Sequence, residues 1–81
     1  MPRVSAQLDK DKRLVKLGES VRARRKGLAL SQEELADYAG IDRSHMGKIE
    51  RGERNVTLLN ILRIAEAMHC KPSNLLADAE L

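Results

Sequence analysis

The apolar positions of this chain recur at helical spacing and never alternate with period two over a useful length. Five helices follow. From about Lys12 to Lys26, Leu14, Leu17, Val21 and the stem of Arg25 share one face, and Gly27 ends the helix. Ser31 and Glu34 then form a capping box, in which the hydroxyl caps and the carboxylate reaches back, with acids suiting the first turn. Gly40 stops this second helix and supplies the positive φ of a tight helix–helix turn. Asp42 caps a third helix that runs to about Arg51 and ends at Gly52. Thr57 caps a fourth, with Leu58, Ile61, Leu62, Ile64, Ala65 and Met68 as its buried stripe. Pro72 opens a short fifth helix through Leu75 and Leu76. Residues 1–11 are polar and are expected to form a mobile arm before a domain spanning residues 12–81.

With 81 residues there is room for one domain whose stability margin is thin. No apolar run reaches the length of a membrane span, and the N-terminus carries no signal-peptide apolar segment. One cysteine, Cys70, allows no intrachain disulfide framework, and a reducing, cytoplasmic setting is expected. Tyr38 is the sole aromatic side chain, which argues against stacking platforms for single-stranded nucleic acid and against an aromatic-lined ligand pocket. The formal net charge is only +3 but is uneven: residues 1–30 hold nine basic against three acidic side chains. Such a basic third attracts phosphate, or is simply a solvated helix face; charge alone does not decide.

The informative stretch is QEELADYAGIDRSHMGKIER, residues 32–51. It reads as two short helices joined by a glycine turn, the helix-turn-helix layout. Ala36 is small where the helices cross, and Leu35, Ala39, Ile41, Met46 and Ile49 lie inward to lock their angle. LSQEELADYAGI, KIERGERN and LLNILRIAEAM together resemble the XRE family, the lambda-repressor-like helix-turn-helix regulators, over about residues 17–76. Within it, the short length and the phrase IERGERNVTLLNI look most like controller proteins of restriction–modification systems. The resemblance implies an all-α, five-helix domain that acts as a homodimer on double-stranded operator DNA. RNA polymerase is a further partner for such a regulator. Lys71 departs from the family pattern, because Ser, Thr or Asp is usual before Pro72.

On a helical wheel, Arg43, Ser44, Gly47, Lys48 and Arg51 lie opposite the inward Met46 and Ile49. Arg43, Ser44, Gly47 and Lys48 are the candidates for reading bases in the major groove. Gly47 is unusual in mid-helix; close approach of DNA is one account and drift another. By the resemblance, Gln32 at the start of the second helix meets a phosphate, with Arg51, Arg54 and Asn55 as further phosphate candidates. The resemblance also pairs Arg25 with Glu50 in a partly buried, structural salt bridge. Leu59, Leu76 and Leu81 fall off the core stripes and are the candidate dimer contacts.

No cofactor or metal is expected. His69 and Cys70 are adjacent at a helix end, His45 edges the groove face, and no third ligand joins either. No nucleophile, base and orienting group are spaced for catalysis, and no small-molecule site is evident. Two rivals differ in class. An antitoxin would carry an extra segment that folds on its toxin, and few residues are spare. An RNA-binding adaptor would offer stacking aromatics.

Overall fold

The computed structural model describes residues 9–81 of the chain. Among these residues it contains five helices and no strand: α1 (Arg13–Gly27), α2 (Gln32–Ala39), α3 (Arg43–Glu50), α4 (Leu58–Ala67) and α5 (Pro72–Asp78). α1 packs on α3 and α5, α2 on α3 and α4, and α4 on α5. Leu35, Met46, Ile64, Leu75 and Val21 are the largest fully buried side chains, one from each helix. Ala36, Ala39, Ile41 and Ile49 complete the α2–α3 crossing and are all buried.

The ends of the elements follow from local chemistry. The Ser31 hydroxyl accepts from the Glu34 N–H at 3.0 Å, and the Ser31 N–H donates to the Glu34 carboxylate at 2.9 Å. Those bonds hold the Glu34 carboxyl below its usual range. Asp42 accepts from the His45 N–H, and Thr57 from the Asn60 N–H. Gly40 takes φ 69°, where a β-carbon would be strained.

The chain before α1 differs from expectation. Residues 1–8 of the expected arm lie outside the described residues. Residues 9–11 are fastened to α1, because Asp9 accepts from the N–H groups of Arg13 at 2.9 Å and Leu14 at 2.7 Å. Lys12 adopts φ 56° to allow this closure. α1 ends at Gly27, as expected, and the left-handed residue of the turn that follows is Ala29, at φ 59°. The Leu30 N–H then bonds back to the Arg25 carbonyl, which satisfies an otherwise orphan group.

The expected stripe of α4 requires correction. Ile64, Ala65 and Met68 are buried and Ile61 packs against the core, but Leu58 and Leu62 are exposed. The first turns of α4 are apolar almost all round, so a wheel cannot tell which arc meets the core. At α5, the Asn74 side chain accepts from the Lys71 N–H at 3.0 Å, and Leu75 is fully buried. The Ser20 hydroxyl donates to the Leu75 carbonyl at 2.8 Å, joining α5 to α1 inside the molecule.

Candidate nucleic-acid interface

α3 is seated from behind by α1. Gly18 lies against the end of α3, where a β-carbon would collide with the Ile49 and Glu50 carbonyls. Just beyond α3, Gly52 adopts φ 72° against the Val15 backbone, so a side chain there would be both strained and obstructed. The two backbones therefore touch almost directly.

One buried ion pair fixes this seat. Arg25 donates through Nε to Glu50 Oε2 at 2.8 Å and through its second terminal nitrogen to Oε1 at 3.0 Å. The pair is bidentate, the strong arrangement for a guanidinium and a carboxylate. The Glu50 side chain is only 2% exposed. Arg25 also donates to the Leu30 carbonyl at 2.9 Å. The hydrogen bonds to Glu50 hold the Arg25 guanidinium above its ordinary pKa against the opposing effect of burial.

Outward from this pair, Arg43 and Ser44 are exposed at the N-terminal end of α3, and Lys48 is half-buried one turn later. Gly47 is buried, although it lies on the outward arc. A shallow cleft brings together Gln32, Arg43, Ser44, Gly47 and Arg51. Gln32 sits between the cleft and the ion pair, and its Nε2 donates to Glu50 Oε1 at 3.1 Å. Sequence reasoning missed this contact, since eighteen positions separate the partners. The remaining phosphate candidates, Arg51, Arg54 and Asn55, flank Gly52 and are exposed. Arg51 donates to Glu53 at 2.6 Å. That bond is the main reason the Glu53 carboxyl lies below its usual range, with Lys48 and Arg54 adding weaker attraction. An exposed pair of this kind is worth little, so exchanging Glu53 for a phosphate costs Arg51 little.

Leu59, Leu76 and Leu81 are exposed, as are Leu58 and Leu62. Cys70 is half-buried against the core. Among the described residues, no group of His, Cys, Asp and Glu side chains could hold a metal ion. No helix there is long and apolar enough to cross a membrane.

Residues 21–75 match the helix-turn-helix family model. Two short helices joined at a glycine turn are the layout of that class, and the chain belongs to this family, in its XRE-type branch. Its relatives are more particular. The control protein C.SmaI of Serratia marcescens is 43% identical over 60 residues, which cover 74% of this chain and 71% of that protein. The control protein C.BamHI of Bacillus amyloliquefaciens is 45% identical over 47 residues, 58% of each chain. Among solved structures, the restriction-modification controller protein C.AhdI from Aeromonas hydrophila superimposes with a TM-score of 0.76 at 50% identity, covering 76% of this chain and 94% of that one. These relatives are named as regulators rather than enzymes.

Proposed function

We propose that the chain is a sequence-specific, double-stranded-DNA-binding transcription regulator of the restriction–modification controller type, working in the cytoplasm as a homodimer. The observation that carries this reading is the rigid presentation of Arg43 and Ser44: exposed side chains at the leading end of a helix that is itself locked by a buried pair. Similarity to controller proteins over most of the chain supports the same reading. None of these observations favours a toxin as the main partner.

The mechanism divides affinity from specificity. Arg43, Ser44 and Lys48 reach base edges, and a guanidinium suits the paired O6 and N7 acceptors of guanine. Gln32, Arg51, Arg54 and Asn55 meet phosphates, which set register without carrying direct sequence information. In the dimer, the two α3 helices lie about 34 Å apart and read a near-palindromic site. The exposed Leu59, Leu76 and Leu81 are the proposed contacts between copies, joined by Leu58 and Leu62. Repression or activation follows from where the site lies relative to the promoter, with RNA polymerase the second partner in activation. Dimer formation is assayed by sedimentation; a monomer at tens of micromolar that fails to assemble on DNA rejects it.

The deciding experiment selects duplexes from a random pool and compares the selected site with a scrambled one across a salt series. Arg43→Ala loses about 1–3 kcal/mol on the selected site and relaxes one base position per half-site. Gln32→Ala weakens both duplexes alike and barely changes the salt slope, because glutamine is uncharged. An unchanged ratio between the duplexes on Arg43→Ala removes that residue from the reading face.

A further inference from the structure

We propose that Gly47 is a positioning residue for the DNA-facing cleft: the space it leaves is the seat in which the Gln32 amide is held against Glu50. This rests on the reading of α3 as the groove helix. Glycine is the poorest residue for a helix interior after proline, so its presence in the middle of α3 calls for a physical reason. The structure supplies one. Gly47 is buried on the outward arc because the side chains of Gln32 and Arg51 lie over it. A β-carbon there would sit 3.2 Å from Gln32 Oε1 and 3.1 Å from Arg51 Nη1.

The seat also fixes which end of the amide faces outward. An ionised carboxylate only accepts hydrogen bonds. Glu50 is buried and already engaged by Arg25 through both oxygens. The Gln32 Nε2 therefore points inward to Glu50 Oε1. Its Oε1 lies over Gly47, in the cleft shared with Arg43, Ser44 and Arg51. Gln32 thus presents its acceptor to this cleft, while only one of its two Nε2 hydrogens is spent on Glu50 and the other is left for a phosphate. The Arg43 guanidinium, which shares the cleft, suits that acceptor. A methyl at position 47 makes the Gln32 side chain give way and loosens its 3.1 Å bond to Glu50. In this account Gly47 acts through Gln32 and need not touch DNA.

Two measurements on the full chain test this. In the DNA-free protein, the Gln32 side-chain amide should resonate away from the position of solvent-exposed glutamine and move toward it in Gly47→Ala, without loss of thermal stability. On the selected duplex, Gly47→Ala should weaken binding about 3- to 10-fold, the worth of one ordinary hydrogen bond. The same substitution should have no effect in a Gln32→Ala background. An equal loss in both backgrounds would mean that position 47 is bare for Arg51 or for the DNA rather than for Gln32, and would overturn the proposal. So would an amide resonance that does not move. If the wild-type protein bound no duplex, the groove-helix reading would fail, and the amide resonance would still decide whether Gly47 seats Gln32.

Discussion

Arg24 and Arg25 are neighbours in the chain, yet they tie α1 to opposite parts of the molecule. Arg25 reaches α3 and meets Glu50 with both side chains withdrawn from water, 10% and 2% exposed. Arg24 reaches α5 and meets Asp78 at 2.8 Å with both side chains open to water in part, 32% and 55% exposed. Length and charge type are alike. What differs is what remains if one partner is removed. On the α5 side, water replaces the lost partner. On the α3 side, a charge stays buried without its ion partner, and the helix proposed to read DNA loses its anchor. The α1–α3 contact is therefore the one that ties stability to function.

The contrast breaks most sharply at Glu50. Glu50→Ala should lower unfolding stability by about 3 kcal/mol, measured by denaturant titration, because Arg25 is left unpaired. An unchanged midpoint would mean that Arg25 finds water and that the two regions are equivalent. Gly18→Ala comes next. Its methyl meets backbone carbonyls, which cannot swing aside as a side chain can, so a cost of about 1–3 kcal/mol is expected, with duplex affinity falling as α3 is pushed from its seat.

Acid should act through the caps. Asp9 is held below its ordinary pKa chiefly by the Leu14 N–H, and Glu34 chiefly by its bonds to Ser31. A carboxyl depressed in the folded state stabilises above its unfolded pKa and loses that contribution as pH falls through the folded value. Melting temperature should therefore fall on acidification below about pH 4, and fall less steeply in a chain carrying Asp9→Asn and Glu34→Gln. Equal slopes would remove the caps from the acid response. Asp78→Ala should do least, within about 0–1 kcal/mol, and that small change should shrink further in high salt.

Legibility divides along the same line as these contacts. Ser31 with Glu34, Gly40, Asp42 and Thr57 act within a few residues of themselves, so spacing alone located α2, α3 and the start of α4. The inward set around Ala36 was legible for a similar reason, since short helices at a tight turn leave one way to cross. Gly18 gave no such signal: its meaning lies in the backbone of Glu50, thirty-two positions away. Gln32 was legible only in part: its place at a helix start pointed to phosphate, but nothing local announced its bond to Glu50, eighteen positions away. Leu58 and Leu62 misled through excess. An apolar residue at nearly every position makes periodicity silent about direction. Asp9 was missed because its reach to Leu14 needs the left-handed turn at Lys12, which composition does not announce.

The near-contact of the α1 and α3 backbones has an evolutionary consequence. The angle of α3 is set on its inner side, at Gly18, Gly52 and the Arg25–Glu50 pair, whereas Arg43 and Ser44 stand clear of that seat. On the proposed reading, these outer residues can be exchanged for others that suit a new target sequence while the scaffold keeps its pose. Substitution at the outer face leaves the packing of α3 on α1 intact, whereas substitution at Gly18, Gly52 or Glu50 does not.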